Sequence, residues 1–180
     1  MTVTQHYSKY VSHMDVFCIT ERFMKKNSLM KGFLGLSITF TSLMTYAASM
    51  EGYWKSIDDR TGEQQSIVEI RKGADGRYHG KIAYRYPVPG GAALVNCTKC
   101  PPPYTNQPLL GLEILSGFKE DPDKPNAYVD GKVLEAKSGK IYKGKANLSA
   151  DGKRLRLRGY VGVSALGRTQ IWIRTDSANP

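Results

Sequence analysis

The amino-acid sequence predicts an all-β fold, an eight-stranded up-and-down antiparallel barrel. Short runs rich in β-branched and aromatic residues recur from Gly52 onward, and turn dipeptides separate most of them. No segment after Gly52 has the apolar period of a helix. So many short antiparallel strands expose edges that promote aggregation, and closing the sheet into a barrel removes those edges. A two-sheet sandwich is the alternative, but its crossovers usually need longer connections.

The strands can be assigned in chain order. They cover residues 52–57, 64–72, 77–86, 109–118, 128–136, 140–149, 153–163 and 168–175. The turn signals are Asp58-Asp59-Arg60-Thr61-Gly62, Asp75-Gly76, Asp130-Gly131, Ser138-Gly139 and Asp151-Gly152. Only the segment 87–107 offers a long connection, so hairpins joining sequential neighbours dominate the predicted topology.

The two ends of the predicted barrel carry a structural signature. Gly52-Tyr53-Trp54 begins the first strand, and Trp172-Ile173-Arg174 ends the last. In a closed antiparallel barrel these strands lie side by side in opposite directions, so Arg174 is expected to lie across the Trp54 indole. Such a cation–π contact contributes about 0.5–2 kcal/mol. This arrangement of Gly52, Trp54 and Arg174 resembles the Gly-x-Trp and terminal Arg of lipocalins.

The N-terminal region has the order of a secretory signal peptide. Met24-Lys25-Lys26 is basic, residues 33–48 are apolar and small, and Ala47-Ala48-Ser49 suits a cleavage site. The apolar run is too short and too rich in Ser and Thr for a membrane span. We therefore predict an upstream extension at 1–23 with translation starting at Met24, a signal peptide at 24–49, and a single barrel domain at 50–180 in the periplasm or outside the cell.

The net charge narrows the class of partner. The chain carries +10, and counting from Met50 leaves 21 Lys and Arg against 14 Asp and Glu, a net +7. Export argues against nucleic acid as a partner. A positive exported barrel instead favours an anionic amphipathic ligand such as a fatty acid or lipid fragment, and it allows peripheral contact with an anionic membrane.

Cys97 and Cys100 lie in the sequence NCTKCPPPY. In an exported protein we expect them to form a disulfide that closes part of the 87–107 connection, contributing about 2 kcal/mol. A zinc site would need four ligands, and the chain from Met50 adds only His79 as a further soft or borderline donor. Thiol exchange is the other alternative, but the three prolines after Cys100 remove amides that would stabilise a thiolate. No metal is expected.

Residues 153–163, KRLRLRGYVGV, alternate between basic and apolar side chains. If the leucines face inward, Arg154, Arg156 and Arg158 form a solvated basic stripe. If the arginines face inward, Arg158 and Tyr160 form a clamp for a carboxylate, as an Arg-x-Tyr pair does in fatty-acid-binding barrels. The cost of burying unpaired charge favours the stripe. Arg158 and Tyr160 are nevertheless the candidate ligand-binding residues.

The sequence gives no positive indication of an enzyme. His79 has no recognisable nucleophile, since no serine lies in a Gly-x-Ser-x-Gly turn. The carboxylates Asp58, Glu69 and Glu113 are dispersed without paired spacing. We therefore expect no catalytic residue and no cofactor.

Several motifs together resemble a bacterial family, the domain of unknown function 2147. They are Gly52-Tyr53-Trp54, Cys97-Thr98-Lys99-Cys100, Pro108-Leu109-Leu110-Gly111-Leu112, Arg158-Gly159-Tyr160-Val161-Gly162 and Leu166-Gly167-Arg168-Thr169-Gln170-Ile171-Trp172. The resemblance covers essentially the whole chain from Gly52 to Arg174. It implies an exported protein with a lipocalin-like barrel, and it implies no established activity.

Three functions follow as hypotheses, of which the least favoured, an enzyme, would rest only on His79 and the cysteine pair. The first is a module that binds a small apolar or anionic amphipathic molecule in the barrel mouth. The second is a structural or stress-related envelope protein whose barrel is filled by its own side chains. The candidate filling side chains include Tyr53, Phe118, Tyr128, Tyr142, Tyr160 and Trp172.

We predict that the native protein is exported and cleaved near Ser49–Met50, because the small residues that suit signal peptidase end there. Intact mass spectrometry of protein isolated from its own cells should give a mature N-terminus at this position. A native N-terminus upstream of Phe33 would contradict both the signal peptide and the assigned compartment.

Overall fold

The computed structural model describes residues 48–88, 90–91 and 94–180. The predicted extension at 1–23 and nearly all of the predicted signal peptide lie outside these residues. The described chain contains eight strands and one short 3₁₀ turn. They are β1 (Gly52–Ile57), β2 (Gln64–Lys72), β3 (Tyr78–Arg85), β4 (Glu113–Glu120), β5 (Ala127–Glu135), β6 (Lys140–Leu148), β7 (Arg154–Tyr160), η1 (Ser164–Leu166) and β8 (Arg168–Thr175).

The strands form a closed barrel in the sequential order β1 to β8, with antiparallel neighbours throughout. The predicted fold class is therefore confirmed. Because every connection is up-and-down, the barrel has two distinct ends. We call the end where β1 begins the closed end, and the opposite end, where the β3–β4 and β7–β8 connections lie, the mouth. Among the described residues, no helix has the length and hydrophobicity that spanning a membrane requires.

Three local predictions were wrong, each for a backbone reason. β4 begins at Glu113 rather than 109, since Gly111 adopts a positive φ of 83° and the preceding residues belong to the connection. β7 ends at Tyr160 rather than 163, because Gly162, at φ 66°, turns the chain into η1. Asp130-Gly131 is not a turn: Asp130, at φ 59°, lies inside β5 where the pairing register with β6 shifts.

The closed-end half of the barrel is filled by its own side chains. Its buried cluster consists of Met50, Trp54, Val68, Ile70, Tyr78, Leu115, Phe118, Tyr128, Ala146, Leu148, Leu155, Leu157 and Trp172. Burial raises the pKa of the Tyr128 hydroxyl, which accepts a hydrogen bond from the Met50 amide at 3.0 Å. Trp54 Nε1 in turn donates to the Met50 carbonyl at 2.8 Å. The Met50 backbone therefore connects Tyr128 and Trp54 at the closed end.

A row of glycines makes room for the Phe118 ring. Gly131, Gly144 and Gly159 are successive cross-strand partners on β5, β6 and β7. A Cβ atom on Gly131 would collide with the Phe118 ring, and one on Gly144 would lie 2.5 Å from it. The absence of side chains at these two positions allows one aromatic ring to fill the barrel cross-section.

Arg174 joins the first and last strands. Its guanidinium lies 4.2 Å from the centre of the Trp54 ring, and the two residues are cross-strand partners. Nε donates to the Gly152 carbonyl at 2.6 Å, and the two Nη atoms donate to the Glu51 and Ser49 carbonyls at 2.7 and 2.5 Å. Burial lowers the pKa of this guanidinium, which nonetheless remains charged.

We predict that Arg174→Ala lowers the free energy of unfolding by about 2–4 kcal/mol, because it removes the stacking on Trp54 and three hydrogen bonds from a charged donor. Urea unfolding followed by tryptophan fluorescence measures the change. Arg154→Ala is the matched control, since Arg154 is exposed on the outer face of β7 and its loss should cost less than about 0.5 kcal/mol. Equal destabilisation by the two variants would contradict the role of Arg174.

Candidate ligand-binding cleft

The long β3–β4 connection folds back on itself as a small hairpin, residues 94–109, which we call the cysteine hairpin. Its two arms are joined by a bridge between Asn96 and Pro108 and by hydrogen bonds from Leu109 N to Val95 O and from Cys97 N to Gln107 O, both at 2.9 Å. The tip carries both cysteines and the three prolines. The cysteine hairpin is therefore a folded element that can form the wall of a site.

The cysteine hairpin packs against the barrel near the mouth. Buried residues of the hairpin and of the strands below it form a second apolar cluster, made of Ile82, Cys97, Cys100, Leu109, Leu112 and Leu134. The backbone of Lys99 approaches Gly139 in the β5–β6 turn so closely that a Cβ there would overlap the Lys99 carbonyl. Gly139 has a φ of 73°, so its position requires glycine for two independent reasons.

A cleft of about 260 Å³ lies between the hairpin tip and the outer face of β4, β5 and β6. It is lined by Pro102, Pro103, Tyr104, Glu113, Ile114, Ser116, Lys132, Leu134 and Ile141. Leu115 and Val133 pack in or against the barrel core, so their neighbours Ser116, Lys132 and Leu134 project outward. The cleft is therefore external to the barrel, and the hairpin encloses it.

The cleft combines apolar walls with a few polar groups. The proline, tyrosine, isoleucine and leucine side chains provide the apolar surface. The polar groups are Lys132 and Ser116, directly opposed across β4 and β5, and Glu113, whose carboxylate lies 3.5 Å from His79 Nδ1. On its other side Lys132 pairs with Lys143 of β6. Two like charges directly opposed across strands repel each other. An anionic group placed between them would relieve that repulsion.

The cysteines and the histidine occupy different parts of this region. The Cys97 and Cys100 sulfur atoms lie at disulfide distance with Cα atoms 5.4 Å apart, and both residues are buried. His79 lies on β3, with Nε2 3.2 Å from an Asp75 oxygen and Nδ1 3.5 Å from a Glu113 oxygen. In the described parts of the chain, no three His, Cys, Asp or Glu side chains form a potential metal site.

The inward Arg158–Tyr160 clamp does not form. Leu155 and Leu157 are buried, so the arginines between them project outward. Arg158 Nε donates to the Ser164 carbonyl at 2.7 Å, and its Nη atoms donate to Thr169 Oγ1 and the Ala165 carbonyl at 2.8 and 3.0 Å. Tyr160 lies under Lys145, whose Nζ is 5.8 Å from the ring centre. Arg158 therefore braces the β7–β8 loop.

The residues at the barrel mouth are polar, and an ion pair connects two of the segments there. Ser56 and Ser66 are buried with their hydroxyl oxygens 2.8 Å apart. Arg168 donates two hydrogen bonds to Asp59, with Nε to Oδ2 at 2.8 Å, and these hold the pKa of the Asp59 carboxyl below its usual value. The stabilisation from this pair is present above the unfolded carboxyl pKa and is lost as pH falls through the lowered one.

The dispersed carboxylates have local roles. Asp58 accepts a hydrogen bond from the Gln65 amide at 2.7 Å, and Glu69 accepts one from Arg71 Nε at 2.8 Å.

Sequence reasoning did not identify the cleft residues. The alternation of side chains along the fifth strand could have predicted that Lys132 lies on the outer face. Its position next to Tyr104 depends on how the cysteine hairpin folds.

Comparisons with known proteins agree with this architecture. A family model described as "Uncharacterized protein conserved in bacteria (DUF2147)" matches residues 52–174. A solved structure described as "Protein HP1028 from the human pathogen Helicobacter pylori belongs to the lipocalin family" is similar, with 21% sequence identity and a TM-score of 0.59. The similarity covers 72% of this chain and 84% of that one and shows a shared fold. No curated protein matches the chain.

We predict that Cys97 and Cys100 are oxidised in the native protein, because the two residues are buried together with their Cα atoms 5.4 Å apart, within the range of disulfides. Both residues are buried, so alkylation should be carried out in denaturant, first without and then with a reductant. Without reductant neither cysteine should react, and with it both should. Complete labelling before reduction, or stoichiometric zinc in the purified protein, would contradict the disulfide.

Proposed function

The chain belongs to the DUF2147 family, which confirms the resemblance noted in the sequence, and from that premise we propose that it is an exported lipocalin-like module that binds a small amphipathic anion in the cleft beneath the cysteine hairpin. The observation that carries the proposal is the cleft itself, in which apolar walls surround Lys132, whose cross-strand partner is a second lysine, Lys143. Binding sites for small molecules commonly combine apolar walls with a few polar groups in this way.

The cleft supports this proposal better than the barrel interior does. Phe118 and Trp172 are fully packed in the closed-end half, and Gly131 and Gly144 are in contact with the Phe118 ring. An acyl chain entering from the mouth would have to displace these side chains. The volume of the cleft equals roughly nine water molecules at about 30 Å³ each. It therefore suits a lipid fragment or small aromatic acid rather than a long fatty acid.

The charge of the ligand follows from Lys132 and Lys143. The two lysines are cross-strand partners, and within the part of the chain that the structure describes neither forms an ion pair. A carboxylate or phosphate next to Lys132 would gain a charge-assisted hydrogen bond. The apolar part of the same ligand would contact Tyr104 and the neighbouring prolines.

A second candidate function has support from the packing of the barrel. Phe118, Tyr128 and Trp172, three of the aromatic residues expected to fill the interior, are buried in the closed-end cluster. This favours a structural or stress-related envelope protein that carries no ligand. The two candidates differ in whether saturable binding to the cleft occurs.

We predict that small amphipathic carboxylates such as octanoate and phenylacetate bind saturably and raise the melting temperature. A ligand at 100 times its dissociation constant should add about 2.7 kcal/mol to the free energy of unfolding. Isothermal titration with Lys132→Gln should show about tenfold weaker binding, because one charge-assisted contact is lost. Lys124→Gln is the control, since Lys124 is exposed in the β4–β5 turn at the closed end.

Two results would reject the cleft. One is the absence of saturable binding by any carboxylate or phosphate ester tested, together with no ligand in native mass spectrometry of protein purified from its own envelope, which would favour the structural function. The other is saturable binding that Lys132→Gln leaves unchanged, which would place the ligand elsewhere.

A further inference from the structure

The positive charge of the barrel is confined to its last three strands. Residues 50–139 contain 12 basic and 12 acidic side chains, so this part of the chain is neutral. Residues 140–175, which include β6, β7 and β8, contain nine basic side chains and one acidic side chain, a net charge of +8. One sector of the barrel wall therefore carries the entire excess charge.

Four of these basic residues project from adjacent strands onto the outer surface. We call Lys143, Lys145, Arg154 and Arg156 the basic face, and all four are exposed. Among the residues that the structure describes, none of the four takes part in an ion pair. The acidic residues at its margins are otherwise engaged: Asp130 pairs with Lys119 at 2.7 Å, and Asp151 accepts a hydrogen bond from the Ser149 hydroxyl.

Exposed apolar side chains border the basic face. Ile171 and Ile173 on the outer face of β8 are the cross-strand partners of Arg156 and Arg154. At the mouth, the β7–β8 loop exposes three more, which we call the apolar tip. They are Val161, Val163 and Leu166, with 67%, 62% and 82% of their surface exposed.

The apolar tip is held in position by the loop around it. The three hydrogen bonds that Arg158 donates to Ser164, Ala165 and Thr169 span the loop from one strand to the other. Gly167 lies so close to the Gly159 carbonyl that a Cβ there would approach it to 2.6 Å. A braced loop that keeps apolar side chains in water costs hydration free energy. A surface that covers them would recover it.

We propose that the barrel docks on an anionic lipid bilayer, with the apolar tip inserted at the level of the headgroups and the basic face against the negative lipid surface. The combination of inserted apolar side chains and adjacent unpaired cations is what membrane-surface binding requires, because each contribution alone gives weak attachment. The proposal shares Lys143 with the lysine pair beside the cleft, but the residues that its variants change, Lys145, Arg156 and the apolar tip, do not line the cleft.

The test uses the protein purified from its own cells after expression of the full chain, and sedimentation with two kinds of vesicle. One kind contains phosphatidylglycerol and phosphatidylcholine in equal parts, and the other contains phosphatidylcholine alone. The protein should sediment with the anionic vesicles and remain in solution with the neutral ones. Binding should weaken strongly at about 0.5 M NaCl, where the screening length falls to several ångströms.

Paired variants separate the two contributions. Lys145→Gln with Arg156→Gln should weaken vesicle binding about 25-fold, at roughly fivefold for each cation removed from the lipid surface. Val163→Ser with Leu166→Ser should weaken it about tenfold by removing inserted apolar area. The controls are Lys124→Gln for charge and Leu110→Ser for exposure, since Leu110 is 62% exposed on the β3–β4 connection.

Three results would overturn the proposal. The first is no sedimentation with anionic vesicles at low salt. The second is equal binding by the tip variant and the Leu110→Ser control, which would reduce the interaction to charge alone. The third is binding to a soluble polyanion such as heparin without binding to vesicles, which would assign the basic face to a polymer. Octanoate titrations of the same variants measure ligand binding in the cleft separately. A failure of vesicle binding can therefore be distinguished from a failure of ligand binding.

Discussion

The structure depends on the seam where β8 closes against β1. The register there comprises three residue pairs, Tyr53 with Thr175, Trp54 with Arg174 and Lys55 with Ile173, whereas β1 and β2 are joined by six. The Arg174 side chain compensates for this short ladder. It connects the segment before β1, the β6–β7 turn and the indole of Trp54 through one partly buried charge, each of whose three nitrogens donates a hydrogen bond. Without this contact the closed sheet would have two exposed edges.

Closure at the seam produces a barrel whose closed end is filled by its own side chains. A tight barrel with Phe118 lying on Gly131 and Gly144 is solid at its closed end. The cysteine hairpin in the β3–β4 connection packs its buried residues with Ile82 and Leu134 near the mouth, and its tip extends over the outer face of β4 and β5. One concave surface of the described chain therefore lies between the barrel wall and the cysteine hairpin. A shared lipocalin-like fold is thus compatible with a site outside the barrel.

The sequence predicted the strands well, because their alternation and turn residues are local signals. It left open which face of the seventh strand points inward, although the cost of buried charge favoured Leu155 and Leu157, the residues that the structure buries. It failed where contacts between residues far apart in the sequence determine the conformation of a segment. The run Leu109-Leu110-Gly111-Leu112 has the composition of a strand, but in the structure it connects the cysteine hairpin to β4. The bracing role of Arg158 and the cleft beneath Tyr104 both depend on contacts between segments that the sequence keeps apart.

The separation of charge along the chain gives the barrel a large permanent dipole moment. One wall, built from β6 to β8, is strongly positive, and the rest of the domain is balanced. In the field of any negative surface, such a molecule experiences a torque that turns the positive wall forward before contact is made. Encounters then begin from a narrow range of orientations, with the cysteine hairpin beside the leading wall. Association would consequently be faster than for a barrel with the same total charge spread evenly over its surface.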